Sequence, residues 1–304
     1  MEQRDRIVGS MLGLALGDAL GAPFEFLRGR NIPDPIPALE LPWMGLPPGS
    51  TTDDTAMARN LVRSLIEREG FDEDDLIRRH VEWIASDPPD VGALTGRVLR
   101  RVQRGEEAVA VAREVWEQRG PEVSAGNGSV MYCAPLGLAY ARRPAELFEL
   151  APRLSALTHY DGRCRTAVLV VTLTVAALVR GEEPATAVRE ALSQVEQHEG
   201  GEELEYLVEA AGGARAIDGP DQGFCLFTAG VGLQALVREG DLETELRRVV
   251  SLGGDTDTNG AVAGSLLGAK GGVEALPLDW LARLAGRDEI WAEAEQLASL
   301  ADLR

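Results

Sequence analysis

The chain has 304 residues, of which 45% are hydrophobic but only 5% aromatic, and its formal net charge is −19. This charge excludes nucleic acid as a partner, because a polyanion would be repelled rather than bound through counterion release. A core built mainly from leucine, alanine and valine favours packed helices over a β-sandwich. Since no break in composition divides the chain, we predict a single domain over residues 1–304.

The first predicted helix covers residues 4–22 and carries glycine at every fourth position: Gly9, Gly13, Gly17 and Gly21. The same spacing recurs late in the chain at Gly260, Gly264 and Gly268. Each glycine costs a helix interior about 1 kcal/mol relative to alanine. A repeated glycine therefore indicates that another element packs very close to that face. We infer that both segments are tightly packed central helices.

Residues 28–50 contain six prolines, a density that excludes a helix and predicts a long irregular loop. Beyond this loop, helical periodicity dominates and strand-like alternation is scarce. The further predicted helices are 54–69, 73–86, 91–104, 106–119, 129–142, 145–157, 163–180, 184–197, 202–211, 223–239, 241–252, 257–270, 278–285 and 288–301. The predicted fold is all-α, a single compact orthogonal bundle of many helices.

The three cysteines, Cys133, Cys164 and Cys225, form no CxxC pair and are odd in number. They indicate neither a disulfide framework nor a thiolate zinc site, and a reducing cytoplasm fits. The first residues, MEQRDR, carry no signal-peptide pattern, and we expect no segment to be apolar enough to cross a membrane. The expected location is therefore the cytoplasm, with no membrane partner. The sequence is silent on the oligomeric state.

An acidic cluster lies where the helix after the loop begins, in the segment Thr51-Thr52-Asp53-Asp54-Thr55. Thr52 is well placed as the N-cap, with both aspartates in the first turn. Threonine and aspartate also favour helix starts for structural reasons. This segment alone therefore does not separate a cap from a functional site.

A second acidic cluster, with Asp255 and Asp257, opens the late glycine-rich helix after a glycine turn. The two aspartates can converge on one centre. Hard cations such as Mg²⁺ or Mn²⁺ prefer carboxylate, hydroxyl and water oxygens. The two clusters together supply four carboxylates, which is enough for a binuclear metal site.

Six segments in a defined order carry a family resemblance. They are Gly17-Asp18-Ala19-Leu20-Gly21, Glu25, Thr52-Asp53-Asp54-Thr55-Ala56-Met57, Gly126-Asn127-Gly128-Ser129, Leu157-Thr158-His159 and Gly253-Gly254-Asp255-Thr256-Asp257-Thr258. Together they resemble the ADP-ribosylglycohydrolase family, which includes the dinitrogenase-reductase-activating glycohydrolases. The resemblance runs from residue 9 to about residue 272, nearly the whole chain.

The resemblance implies two magnesium or manganese ions as cofactors. Their ligands would be Thr52, Asp53, Asp54, Asp255, Asp257 and Thr258. Asp257 also counts as catalytic, because its replacement by alanine should abolish turnover. Glu25, at the start of a loop that acts as a lid in such enzymes, would position water or the ribose. Asp90 matches an acid that helps activate water in some members, while capping the next helix is its alternative role.

The resemblance also assigns substrate contacts. Backbone N–H groups of Gly126, Asn127, Gly128 and Ser129 would approach the phosphate and ribose at a helix N-terminus. A glycine-asparagine turn is otherwise a plain loop. His159 would contact the ADP-ribose, although a lone histidine before a helix is otherwise structural.

Three further positions bear on how the substrate is held. Many relatives carry arginine where this chain has Tyr132, which bears on specificity. Arg163 and Arg165 are candidates for additional phosphate contacts, although arginines that follow a loop are usually solvated.

The implied reaction is hydrolysis of the N- or O-glycosidic bond between ADP-ribose and a protein side chain or small acceptor. Two alternatives stay open. One is a non-catalytic ADP-ribose-binding or structural member of the family. The other is a two-metal phosphoesterase that cleaves the pyrophosphate and releases AMP. The sequence does not identify the acceptor, nor does it choose between magnesium and manganese.

Overall fold

The computed structural model describes residues 1–120, 123–198, 201–215 and 223–303. These residues contain fifteen α-helices and isolated β-bridges but no strand, so the predicted all-α bundle is confirmed. The helices are α1 (Gln3–Gly21), α2 (Asp53–Glu67), α3 (Glu73–Ala85), α4 (Ala93–Val102), α5 (Ala108–Arg119), α6 (Ala134–Ala139), α7 (Leu147–Ala156), α8 (Gly162–Val179), α9 (Pro184–His198), α10 (Glu202–Ala211), α11 (Cys225–Val237), α12 (Leu242–Ser251), α13 (Thr256–Gly271), α14 (Leu278–Arg283) and α15 (Arg287–Leu303).

The predicted helix over residues 129–142 is wrong in extent. The carbonyl of Asn127 accepts from the N–H groups of Val130 and Met131 at 2.7 and 3.1 Å, which closes a turn instead of a helix. Helix α6 begins only at Ala134, with Pro135 in its first turn, where the missing N–H costs no hydrogen bond. The other predicted helices correspond to observed ones within a few residues, although α7 is preceded by a 3₁₀ turn at Pro144–Glu146.

The two glycine-rich helices, α1 and α13, pack against each other in antiparallel directions. Gly9 faces Gly268, and a Cβ atom at Gly9 would lie 2.6 Å from the Gly268 carbonyl oxygen. The next three contacts along α1 are tighter still: Gly13 on Gly264, Gly17 on Gly260 and Gly21 on Thr256. The helices therefore touch backbone to backbone, which confirms the close packing inferred from the glycine spacing.

Polar bonds fix the register of this helix pair. The Ser10 hydroxyl donates to the Ser265 carbonyl at 2.8 Å, and the Thr256 hydroxyl donates to the Gly21 carbonyl at 2.8 Å. Arg6 donates to two carbonyls near the end of α13, at 2.9 and 2.8 Å. The C-terminal end of α1 is consequently held against the first turn of α13.

The expectation that no segment is apolar enough to cross a membrane is wrong by composition. Gln3–Phe24 and Gly162–Val179 have the length of a membrane span and mean hydropathies of 1.5 and 1.6. In the structure, 94% and 83% of the residues in these windows are buried inside the protein. A helix that other helices surround is apolar on all sides, which explains the composition of both segments.

The proline-rich segment 28–50 is irregular, as predicted, apart from a 3₁₀ turn at Gly29–Asn31. Hydrogen bonds to its carbonyl groups hold it against the segment at the end of α14. The Arg283 side chain donates to the Ala38 carbonyl at 2.7 Å, and the Ala285 N–H donates to the Gly49 carbonyl at 3.0 Å. The loop before α2 is thereby tied to the C-terminal part of the bundle.

We expect Gly13→Ala to lower the free energy of unfolding by roughly 3 kcal/mol or more. Overpacking costs roughly 1–3 kcal/mol where side chains can shift, and here the obstacle is the backbone of α13. Urea unfolding measures the difference. Gly162→Ala is the matched control, because Gly162 is an exposed helical glycine with no atom near its missing Cβ. Equal stability of the two variants would contradict the packing described above.

His80 predicts a specific dependence of stability on pH. Its ring is buried, accepts from the Asn60 amide at 3.3 Å and meets the Tyr132 ring edge-on at 5.2 Å. Burial lowers the pKa of His80 from 6.5 to about 3. Between these two pKa values, His80 is protonated in the unfolded chain but neutral in the folded protein. The free energy of unfolding is therefore highest above pH 6.5 and decreases as the pH falls below it.

Between pH 7.5 and 5.5, wild type should lose about 1.4 kcal/mol more unfolding free energy than His80→Gln, which does not titrate. Urea titrations of both proteins at the two pH values give this difference, and groups common to both cancel. Parallel losses in the two proteins would show that His80 is not the group responsible.

Candidate active site

A short backbone pairing joins the segment after α1 to the turn before α13. The Phe26 N–H donates to the Gly254 carbonyl at 2.7 Å, and the Gly254 N–H donates to the Leu27 carbonyl at 2.8 Å. Gly253 has a φ of +77°, and a Cβ there would run into the backbone of the paired segment. The glycine turn before α13 thus allows the close approach that brings Glu25 to the start of that helix.

Three carboxylates meet at this junction. Oxygen atoms of Glu25, Asp255 and Asp257 all lie within 4.8 Å of one another. The Asn127 amide donates to Asp255 at 2.9 Å and also to the Thr228 hydroxyl at 2.9 Å, so it orients Asp255 from a third part of the chain. The cluster has the spacing of a cation site.

The first turn of α2 supplies the other acidic cluster, and Asp18 of α1 holds it in place. The Thr52 N–H donates to both Asp18 oxygens at 3.0 and 3.1 Å, and the Thr55 N–H donates to Asp18 at 3.1 Å. Asp18 is the only charged residue in the buried part of α1. Asp18 stands within the first motif of the family resemblance without a predicted role, although a lone acid in an apolar helix is itself a signal.

The two acidic clusters, from opposite ends of the sequence, share one carboxylate. Asp54 accepts from the Thr52 hydroxyl at 2.9 Å and from the Thr258 hydroxyl at 3.5 Å. The second oxygen of Asp54 is buried and has no hydrogen-bond partner among the described residues. Thr258 is held in turn by its N–H, which donates to Asp257 at 2.9 Å. The structure therefore brings together all six residues predicted as metal ligands.

Asp90 lies beside Asp53 at the edge of this group. The Gly92 N–H donates to Asp53 at 3.1 Å, which ties the segment after Asp90 to α2. Helix α4 begins at Ala93 without a side-chain cap, so Asp90 does not have the alternative role of capping it. Asp90 is half-buried and faces the same cavity as Glu25.

Burial, and then the charges of neighbouring carboxylates, raise the pKa of these carboxyl groups. Burial, followed by the charges of Asp90 and Asp255, raises the pKa of Glu25 to about 8. Burial and Asp90 raise the pKa of Asp53 to about 7. Burial and neighbouring carboxylates also raise the pKa values of Asp54 and Asp257 well above their ordinary range. So many buried negative charges are stable together only when protons or cations compensate them.

A cavity of about 420 Å³ opens above the carboxylates. Most of the predicted site residues line it: Glu25, Asp53, Asp90, Gly126, Asn127, Gly128, His159, Asp255, Asp257 and Thr258. Thr52 instead lines a smaller cavity of about 160 Å³, which Asp53 and Asp90 share. Asp54 is fully buried and lines neither of these two cavities. This volume is within the range of small-molecule sites.

His159 forms part of the cavity wall in its neutral form, because burial lowers its pKa to about 4. The Thr158 hydroxyl contacts His159 Nδ1 at 2.9 Å. A Cβ at Gly128 would lie 2.8 Å from His159 Cε1 and 2.9 Å from the Thr95 hydroxyl. Glycine at position 128 therefore makes room for the imidazole.

Two residues of the glycine-asparagine region face away from the cavity. The Ser129 hydroxyl is fully buried and pairs with the Ser155 hydroxyl at 2.9 Å. Tyr132 is also fully buried, against His80. The position at which this chain departs from many relatives is thus a core position here.

The arginines suggested for phosphate contacts have other partners. Arg163 pairs with Asp161 at 2.8 Å, and the Arg165 guanidinium lies 4.2 Å from the centre of the Tyr160 ring. Among the described residues, the one arginine or lysine that lines the cavity is Arg119. No sequence signal marked Arg119, because it ends an ordinary helix and stands outside every motif, seven residues before Gly126.

The family profile for ADP-ribosylglycohydrolases matches residues 1–304. The chain belongs to the ADP-ribosylglycohydrolase family. It is accordingly a glycosyl hydrolase, as predicted, and this family acts on ADP-ribose linkages.

Similar proteins include bacterial and vertebrate members of the family. The chain is 32% identical to ADP-ribosyl-[dinitrogen reductase] glycohydrolase of Rhodospirillum rubrum, over 98% of this chain and 97% of that protein. It is 27% identical to human ADP-ribosylhydrolase ARH3, over 96% of this chain and 92% of that protein. A solved structure titled ADP-ribosylglycohydrolase-related protein complex matches with 36% identity and a TM-score of 0.79, over 99% of both chains.

In this family member, we expect Gly128→Ala to lower the free energy of unfolding by roughly 1–3 kcal/mol, because the new methyl group displaces His159 or Thr95. Gly126→Ala is the matched control, since its nearest contact to His159 would be an ordinary 3.4 Å. The chain has three histidines, so NMR of the imidazole groups can follow His159 directly. An unshifted His159 resonance in Gly128→Ala would contradict this account.

Proposed function

We propose that the protein hydrolyses the N- or O-glycosidic bond between ADP-ribose and a protein side chain or small acceptor, with two Mg²⁺ or Mn²⁺ ions as cofactors. One observation carries the proposal: Glu25 meets Asp255 and Asp257 of the second acidic cluster at a cavity that Asp53 of the first cluster also lines, and this cavity is large enough for a small ligand. Membership of a family that acts on ADP-ribose linkages supplies the substrate class.

The chemistry of the acidic group fits divalent cations. All donors are carboxylate or hydroxyl oxygens, the ligands that Mg²⁺ and Mn²⁺ prefer. The buried, unpartnered oxygen of Asp54 lacks a positive partner in the described structure. The six ligands would be Thr52, Asp53, Asp54, Asp255, Asp257 and Thr258. When bound, the cations would supply Lewis-acid polarisation and neutralise the clustered charge.

The chain's own carboxylates would direct the attacking water. Glu25 is half-buried at the cavity wall and is held through the backbone pairing of the residues that follow it. In hydrolysis, the water oxygen bonds to the anomeric carbon, the bond to the acceptor breaks, and the acceptor leaves with a proton. Glu25 or Asp90 would orient the water and take up the proton that it loses, as in other glycosidases.

The neutral wall of the cavity would bind the remainder of ADP-ribose. Among the described residues, the N–H groups of Gly126 and Gly128 donate to no other group, which leaves both available to phosphate oxygens. The Asn127 N–H, in contrast, donates to the Gly223 carbonyl at 2.9 Å, so Asn127 would act through its side chain on Asp255. Neutral His159 offers its ring to the ribose or phosphate without adding charge.

A cytoplasmic location is part of the proposal. Cys133, Cys164 and Cys225 are all buried free thiols, which suits a reducing compartment. Fractionation of cells that express the full chain tests this point, and recovery outside the cytoplasm would overturn it.

To test the reaction, the Mg²⁺- or Mn²⁺-loaded protein is incubated with ADP-ribosylated arginine and serine substrates. The released nucleotide is then identified by mass spectrometry. We expect free ADP-ribose, its loss on chelation, no turnover by Asp257→Ala, and roughly 10²- to 10⁴-fold slower turnover by Glu25→Gln. Asp241→Asn, at an exposed helix cap, is the control. AMP would instead indicate a phosphoesterase, and binding without release a non-catalytic member.

Cation binding is tested separately by calorimetric unfolding with and without MgCl₂ or MnCl₂. At 100 times the dissociation constant, each bound ion should add about 2.7 kcal/mol to the free energy of unfolding. Asp54→Asn should unfold at a higher temperature than wild type in EDTA, because it removes a buried like charge, and should lose most of the cation-induced increase. A full cation response in Asp54→Asn would exclude Asp54 as a ligand.

A further inference from the structure

Arg119 stands out among the residues of the cavity wall. It is the last residue of α5 and, among the described residues, the only arginine or lysine that lines the cavity. Its side chain forms no ion pair or hydrogen bond with a described residue, and its Nε atom is buried without a partner. A buried N–H group that has no acceptor is unfavourable unless something else supplies one.

Neighbouring arginines show that partners were available. On the same helix, Arg113 pairs with Glu117 at 2.9 Å, and Glu114 pairs with Arg101 at 2.7 Å. These pairs lie at the protein surface. Arg119, at the end of the same helix, instead lines the cavity, although the chain carries 49 acidic residues against 30 basic ones. Among the described residues, none supplies an acceptor for Arg119, and the side chain lines the cavity.

The turn that carries Arg119 is anchored to the wall formed by His159. The Gly120 N–H donates to the Trp116 carbonyl at 3.3 Å, and the Ser124 hydroxyl donates to the Gly120 carbonyl. The Trp116 indole donates at 2.9 Å to Asp161, which caps α8 two residues after His159. These hydrogen bonds fix the backbone position of Arg119 relative to the cavity wall.

We propose that Arg119 is a positioning residue that binds the pyrophosphate of ADP-ribose; this inference rests on the proposed function. A guanidinium presents a planar fork of donors that matches phosphate oxygens. Among the described residues, no positive side chain lines the carboxylate end of the cavity, so an anionic substrate gains a defined orientation from a cation on another wall. Arg119 supplies that cation and directs the ribose end towards Glu25.

The test measures binding of ADP-ribose, ADP and adenosine to the Mg²⁺-loaded protein by calorimetry at several salt concentrations. Arg119→Met should weaken ADP-ribose and ADP binding roughly tenfold to a hundredfold, leave adenosine binding unchanged, and reduce the salt dependence. Arg119→Lys should retain part of the affinity. Arg113→Met, from the same helix, is the matched control and should bind like wild type.

Several outcomes would overturn the assignment. Equal ADP affinity in Arg119→Met and wild type excludes a pyrophosphate contact. Wild-type affinity in Arg119→Phe would show that the side chain stacks on the adenine instead. If wild type releases ADP-ribose from its substrates but Arg119→Met binds ADP-ribose as tightly as wild type, the role of Arg119 is wrong and the proposed function stands. If wild type neither binds nor releases ADP-ribose, both the role of Arg119 and the proposed function are wrong.

Discussion

The backbone contact between α1 and α13 is the constraint on which the rest of the structure depends. Four consecutive turns of α1 lie against α13 with no side chain between them, so neither helix can slide or rotate without a collision. The antiparallel register places the end of α1 at the start of α13, where Gly21 meets Thr256. Residues about 230 positions apart in the sequence consequently form one acidic group, and Asp18 brings the first turn of α2 to the same place.

The acidic group is built at a cost in stability. Buried carboxylates that repel one another have raised pKa values, and one oxygen of Asp54 has no partner among the described residues. Such an arrangement is characteristic of functional sites, where local stability is given up for chemistry. The rigid helix pair beneath it supplies the compensation, because close packing over the whole length of α1 holds the carboxylates together in spite of their repulsion.

The lining of the cavity differs chemically between its floor and its wall. Its floor is formed by carboxylates, while its wall is formed by glycine backbone, neutral His159 and Arg119. This division suits a substrate that carries a reactive sugar at one end and negative charge along its length. It also reconciles an anionic ligand with a protein of net charge −19, since local groups outweigh distant surface charges that salt screens.

Features that depend on residues close together in the sequence could be predicted from the sequence alone. The fourfold glycine spacing, the helix periodicity and the two acidic segments each follow from neighbouring residues, because helix geometry fixes which of them share a face. Contacts between residues far apart in the sequence could not be predicted in this way. The support that Asp18 gives to α2, the pairing of the Ser129 hydroxyl with Ser155, the burial of Tyr132 against His80, and the cavity position of Arg119 each depend on packing between separate elements. Which side chains meet across the protein is decided only by how the helices pack. The sequence by itself therefore determined the two acidic segments, whereas the tertiary structure decided that they form one site.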